Sequence, residues 1–129
     1  MRLVLVRHGE TVGESSIRLN GVTDVALCPI GIDQMERVKR ALADEAFAEV
    51  LASPLRRSRE GAALVRPGAE VRVVPAFREV DFGRWETWTW DEVAARDPDT
   101  LAVMRASRAD FTYPAGESRQ AFRARVDGL

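Results

Sequence analysis

The feature that most limits how this chain can fold lies at its start. Leu3-Val4-Leu5-Val6 is a short apolar run, partly β-branched, that stops at Arg7-His8-Gly9. Such a run reads as a strand over residues 2–6, buried on both faces of a parallel sheet. Gly9 permits a sharp exit from it. The strand would deliver Arg7 and His8 to a site at its carboxyl end. His8 is the only histidine in the sequence.

The pattern that follows alternates. Residues 11–25 have no sustained period and contain Gly13, Ser15, Ser16, Asn20, Gly21 and Asp24, so they read as a loop. Cys28-Pro29 opens a helix, with proline at its first position. Gly31, Met35, Val38 and Leu42 fall on one face, while Asp33, Glu36, Lys39 and Arg40 face water; the helix should reach about Ala43. Residues 49–52 read as a second strand. Ser53-Pro54 then reads as an N-cap and a helix-starting proline. That helix reaches about Val65, is weakened by Gly61, and ends at Pro67-Gly68. Residues 71–74 read as a third strand. The order β-α-β-α-β predicts an α/β fold, a parallel sheet with right-handed crossovers.

After Pro75 the pattern loosens into an aromatic-rich stretch with Phe82, Trp85, Trp88 and Trp90. Thr89 and Glu92 have capping-box spacing, for a helix ending before Pro98. A further helix is expected over residues 99–108, a turn at Tyr113-Pro114-Ala115-Gly116, and a last helix over 118–129 with Phe122, Val126 and Leu129 on one face. Basic residues are not interleaved with Trp85 and Trp88, so these two read as core or lid packing and not as a base-stacking platform.

Composition narrows the function. The length, 129 residues, is that of one domain, and the net charge of -1 gives no reason to expect a nucleic-acid or membrane partner. Lys39 is the only lysine. Coding bias accounts for that, so an arginine is informative only through its position. Cys28 is the only cysteine, which excludes an intrachain disulfide and fits a cytoplasmic location. The start of the chain has no charged leader with an apolar core, and no long apolar stretch follows, so no signal peptide or membrane span is expected.

Reactive side chains follow each predicted strand: Arg7 and His8 the first, Arg56 and Arg57 the second, Glu79 the third. In an open parallel sheet, ligands bind beyond the carboxyl ends of the strands. One imidazole, two or more guanidiniums and one carboxyl suit a phosphate ester. Guanidinium forks match phosphate oxygens. A neutral imidazole can attack phosphorus. A carboxylic acid can protonate the leaving oxygen. Free N–H groups at the helix start near Ser53 would add positive potential. Taken singly, Arg57 reads as a surface arginine and Glu79 says almost nothing.

Together, these segments resemble the histidine phosphatase superfamily, in the branch of cofactor-dependent phosphoglycerate mutases and broad-specificity phosphatases. The signature is Arg7-His8-Gly9-Glu10-Thr11. It is followed in order by Arg18, Asn20-Gly21, Asp24, Leu27, Gly31 and Gln34, then Ser53-Pro54-Leu55-Arg56-Arg57. Arg78-Glu79-Val80-Asp81-Phe82-Gly83-Arg84-Trp85-Glu86 and Ala115-Gly116-Glu117-Ser118 complete the match, which covers essentially the whole chain. The resemblance implies a three-layer sandwich, a mainly parallel sheet flanked by helices. It also implies a hydrolase acting on a small-molecule phosphomonoester through a phosphohistidine on His8. Arg7 and Arg57 would bind phosphoryl oxygens, Asn20 would line the phosphate pocket, and Glu79 would serve as acid and then base. No metal and no other cofactor is implied, because the arginines act as the charge clamp.

Three departures follow from the same comparison. Glu14 stands where the family has a phosphate-binding asparagine, and Cys28 where it has a helix-capping threonine. The family's second histidine, on a later strand, has no counterpart. Residues 1–129 are therefore expected to be a single, incomplete domain of this type, lacking its C-terminal strands. The edge of strand 2–6 would be exposed, a candidate homodimer surface. Two alternatives stay open: phosphoglycerate mutase-type transfer, and a catalytically inactive binding or assembly module on the same fold.

Overall fold

The computed structural model describes residues 2–107 and 110–128. It is an α/β chain with a small parallel sheet and five α-helices among the described residues. It divides into two compact units, Met1–Gly13 with Asp24–Val74, and Glu14–Thr23 with Pro75–Leu129.

The first unit holds α1 (Pro29–Ala41), β1 (Val50–Ala52), α2 (Arg56–Val65) and β2 (Val71–Val73). The strands are parallel, Val50 opposite Val71 and Ala52 opposite Val73, and the Val74 N–H extends the ladder to the Ala52 carbonyl at 2.8 Å. Leu27, Met35 and Val65 form the buried core, with Val38, Leu42 and Leu64 packed against it. The apolar face read from the sequence of α1 is therefore the face that is buried. Gly61 is in α2 for packing: a Cβ there would lie 3.2 Å from the Met35 sulfur.

Two expectations for this unit are corrected. Residues 2–10 belong to no strand, and among the described residues the sheet has two strands, not three. Leu3 is 74% and Leu5 85% exposed, so the run is not buried on both faces. An apolar run supplies side chains for a strand, but a strand exists only through its hydrogen-bonded neighbour. The expected dimer edge rested on that strand; what stands there is an exposed apolar segment. Helix α2 also starts later than expected. Its N-cap is Leu55, and Ser53 lies in the preceding turn, where its Oγ accepts from the Leu55 N–H at 3.3 Å.

Helix α1 begins at Pro29 as the sequence indicates, but its N-cap, Cys28, makes no side-chain cap bond. The Cys28 backbone is extended (φ -87°, ψ 170°), the geometry in which a hydroxyl reaches the second or third helical N–H. Cys28→Ser is expected to raise stability by about 0.5–1 kcal/mol, read as a higher urea midpoint at unchanged slope.

The second unit holds 3-10 turns at Pro75–Phe77 and Gly83–Trp85, then α3 (Trp90–Arg96), α4 (Pro98–Ala106) and α5 (Arg119–Asp127). The Thr89–Glu92 capping box is complete: the Glu92 N–H donates to Thr89 Oγ1 at 3.1 Å, and the Thr89 N–H to Glu92 Oε2 at 2.9 Å. Ser118 caps α5 by accepting from the Ala121 N–H. Phe122 faces the core, while Val126 is 38% exposed. The expectations for Arg108 and Leu129 lie outside the described residues.

Most of the aromatic stretch is core, whereas Trp90 is 46% exposed. Trp85 and Val93 are fully buried, with Leu19, Val80, Leu101, Phe111 and Tyr113 around them and Trp88 packed against the cluster. Trp85 stacks on Phe111 at 5.8 Å and meets the edge of Tyr113 at 5.9 Å. Its one polar atom is satisfied, since Nε1 donates to Asp97 Oδ2 at 2.8 Å.

Asp97 joins this core to the two helices. Hydrogen bonds from Thr100, Arg84 and Trp85, in that order, hold its carboxyl down to about 2. A carboxyl lowered in the folded state contributes stability above its unfolded range, near about pH 4, and loses it as pH falls towards 2. Asp97→Asn is therefore expected to flatten the acid limb of stability between those values. Acid titration of Trp fluorescence checks this, and an unchanged limb refutes it. No helix among the described residues is long and apolar enough to cross a membrane.

Candidate functional site

His8 lies in a turn fixed by close backbone contact. A Cβ on Gly9 would collide with the Gly31 carbonyl, and one on Gly31 with the Glu10 carbonyl. Only glycines allow the signature turn to rest on the first turn of α1. Hydrogen bonds complete the junction: Glu10 N–H to Gln34 Oε1 at 2.9 Å, Cys28 N–H to the Glu10 carbonyl at 3.0 Å, and Val12 N–H to the Ala26 carbonyl at 3.0 Å. Gly31 and Gln34, far from His8 in sequence, thus hold its backbone.

The half-buried imidazole has a defined orientation. His8 Nδ1 is 2.7 Å from the Gly9 carbonyl oxygen. A carbonyl can only accept, so Nδ1 carries the proton and donates it. In the neutral ring Nε2 then holds the lone pair. Arg7, next to it in the chain, is exposed.

Arg57 occupies the first turn of α2 and is 3% exposed, so it is not the surface arginine its sequence position allows. Its guanidinium presents a planar fork of N–H donors and a positive charge. Three N–H groups expected to be free near the start of this helix have partners. Ser53 N–H donates to Ser58 Oγ, Leu55 N–H to Ser53 Oγ, and Arg56 N–H to Asp24 Oδ1 at 2.6 Å. The cap comes from Asp24, distant in sequence, and its negative charge answers the positive end of the helix. Glu60 adds a second tie by accepting from the Leu27 N–H at 2.8 Å. That bond first, and Arg56 after it, hold the Glu60 carboxyl below its usual range against the opposing effect of burial.

Asn20 and Glu79 belong to the second unit, whereas Arg7, His8 and Arg57 belong to the first. The Asn20 loop is tied down by Leu19, whose N–H donates to the Trp88 carbonyl and whose carbonyl accepts from Thr87, both at 2.8 Å. Its organising group is Glu86. One carboxylate oxygen accepts from the N–H groups of Val22 and Phe82, each at 3.0 Å. The other accepts from Gly21 and Thr23, each at 3.2 Å, and from the Thr23 hydroxyl. Glu86 lies in the Arg78-to-Glu86 motif, whose residues alone do not reveal this role. Nothing local signals that role, since four of its five donors lie some sixty positions earlier in the chain.

Glu14 is paired. Its carboxylate meets Arg18 at 3.0 Å, and Arg18 also reaches Glu92 at 3.3 Å. Glu14 stands at φ +57°, a left-handed conformation that asparagine adopts more readily than glutamate. Glu79 is exposed, and its Oε1 accepts from the following Val80 N–H at 2.8 Å. No cluster of three or more metal-ligating side chains is present among the described residues.

The family model described as "Histidine phosphatase superfamily (branch 1)" matches residues 3–129. An adenosylcobalamin/alpha-ribazole phosphatase of Salmonella typhimurium is 33% identical over 129 residues, covering 98% of this chain and 64% of that protein. A protein of Erwinia tasmaniensis named "Probable phosphoglycerate mutase GpmB" is 30% identical over 92% of this chain and 56% of its own length. The alpha-ribazole phosphatase structure from Shigella flexneri superposes with a TM-score of 0.87 at 29% identity, over 95% of this chain and 62% of that one. The chain thus spans somewhat less than two thirds of the length of these relatives.

Proposed function

From the premise that this chain belongs to the histidine phosphatase superfamily, we propose that it hydrolyses a small-molecule phosphomonoester through a phosphohistidine on His8. The observation that carries this reading is the Nδ1–Gly9 hydrogen bond, which leaves the Nε2 lone pair as the nucleophile. Nε2 attacks phosphorus, and the ester P–O bond breaks. Glu79, protonated, gives its proton to the leaving alkoxide. As a carboxylate it then takes a proton from water, whose oxygen attacks phosphorus and breaks the P–N bond. Inorganic phosphate leaves, and His8 and Glu79 return to their starting forms. Arg7 and Arg57 hold the phosphoryl oxygens and stabilise the charge that builds on them; Asn20 adds a neutral contact.

In this reading both units belong to one histidine phosphatase-type domain. Relatives named as alpha-ribazole phosphatases support a phosphate ester of a small organic alcohol as the substrate class. A free carboxylate at Glu14 would repel a phosphate dianion, and its pairing with Arg18 lessens that repulsion.

The test is direct. The chain is incubated with a labelled phosphomonoester and quenched in base, and His8 is examined for acid-labile phosphate. Label on His8 with release of inorganic phosphate is expected. A folded chain that shows neither label nor turnover is instead the binding or assembly module. Phosphate recovered on an added acceptor alcohol in place of water would favour mutase-type transfer, for which the Erwinia relative is named.

A further inference from the structure

Glu79 is exposed and its carboxyl rests on the following Val80 N–H at 2.8 Å, a bond that moves with the local backbone, yet an acid–base group needs a defined position. The backbone around it is fixed on both sides. After it, Val80 is 8% exposed in the aromatic core. Before it, the guanidinium of Arg125, from α5, spans the chain. Arg125 Nη1 donates to the carbonyls of Ala76 and Arg78, both at 2.7 Å. The Arg78 carbonyl belongs to the same peptide group as the Glu79 N–H, so this contact sets the plane from which the Glu79 side chain leaves.

Arg125 is itself held rigid. Its Nε and Nη2 donate to the two carboxylate oxygens of Glu117 at 3.0 and 2.8 Å, a two-pronged pair whose side chains are 20% and 12% exposed. Glu117 carries the linkage past Glu79: its Oε2 accepts from the Asp81 N–H at 3.3 Å, and its own N–H donates to the Asp81 carbonyl at 2.9 Å. The Arg125 pairing, more than the Asp81 contact, keeps the Glu117 carboxyl below its usual range. One guanidinium and one carboxylate therefore hold residues 76, 78 and 81 and leave Glu79 projecting between them.

We infer that Arg125 is a positioning residue for the Glu79 carboxyl, acting through the Ala76 and Arg78 carbonyls it holds and through Glu117. The inference rests on the proposed acid–base role of Glu79. It goes beyond that role in making a residue of the last helix a determinant of leaving-group protonation.

The experiment uses the full chain and the variants Arg125→Ala, Arg125→Lys and Glu79→Gln. In the first arm, single-turnover phosphorylation of His8 is measured with an alkyl phosphate and with 2,4-dinitrophenyl phosphate. An alkoxide needs a proton to leave, whereas dinitrophenolate does not. Arg125→Ala and Glu79→Gln are expected to slow the alkyl ester by roughly 10²-fold and the dinitrophenyl ester by less than about 3-fold. Arg125→Lys, with an ammonium that cannot bridge both carbonyls and the carboxylate, should fall between. A purely structural role would slow both esters equally, and that result overturns the inference.

The second arm needs no turnover. Amide hydrogen exchange at Asp81 should rise about 10-fold or more in Arg125→Ala, with the Glu92 amide of the Thr89 capping box unchanged. Unchanged exchange at Asp81 overturns the inference by itself. A wild-type chain that forms no phosphohistidine refutes the catalytic reading of His8 separately, and the exchange arm still decides whether Arg125 holds this segment.

Discussion

His8→Asn is expected to abolish phosphate labelling and to lower turnover by roughly 10⁴-fold or more, the scale on which removing a covalent nucleophile acts. Asparagine is the informative replacement. Its side-chain N–H₂ can still donate to the Gly9 carbonyl that now accepts from Nδ1, so the turn keeps its hydrogen bond while the nucleophilic nitrogen is lost. Thermal unfolding should shift little, because the turn is held by the Gly9–Gly31 approach and the Glu10–Gln34 bond, not by the ring. If His8→Asn retains labelling, the nucleophile has been misassigned. If it loses labelling only together with the fold, His8 is structural.

The second large effect is on stability. Glu86→Gln should destabilise the chain by about 3 kcal/mol, seen as a lower urea midpoint by Trp fluorescence. In the native arrangement two carboxylate oxygens receive four backbone N–H groups and one hydroxyl. Glutamine keeps one oxygen and turns an N–H₂ group towards donors that it cannot accept from. Two backbone N–H groups of the Asn20 loop or of the Phe82 turn then lose their partner, and a half-buried unsatisfied donor is costly. The size is the same order as the penalties for breaking charge-assisted hydrogen bonds elsewhere. A midpoint within experimental error of wild type would show that water replaces the carboxylate without cost. In an active chain the variant should also raise KM more than it lowers kcat, since it loosens the loop of Asn20, the proposed phosphate contact, and not the proposed attacking group.

Both predictions draw on residues that the sequence displayed with unequal clarity. Arg7-His8-Gly9 was recognisable from residue type and order. The orientation of the ring was not, because it depends on a carbonyl position set by the contact with Gly31. Arg57 was named, but its burial was not foreseen. Ser53 has the right side chain in the right place for the cap of α2. Asp24 acts instead: a carboxylate is a better partner for a helix start, and the tertiary fold brings it within 2.6 Å of the Arg56 N–H. Glu86 and Arg125 were present in the chain as unremarkable charges, and their roles consist entirely of contacts with residues distant in sequence.

The sequence alone determined what depends on neighbours a few positions apart. Proline at the start of α1, the Thr89–Glu92 box, Ser118 at the head of α5 and the apolar face of α1 were all legible, because helical hydrogen bonds and caps close within four residues. It also determined the family, whose signature lies in short contiguous motifs. The tertiary structure decided everything that needs a distant partner. It left Leu3-Val4-Leu5-Val6 outside any strand, since a ladder must be supplied from elsewhere in the fold. It drew carboxylates from remote positions onto backbone N–H groups, since a buried donor must be satisfied by whichever acceptor the fold brings to it.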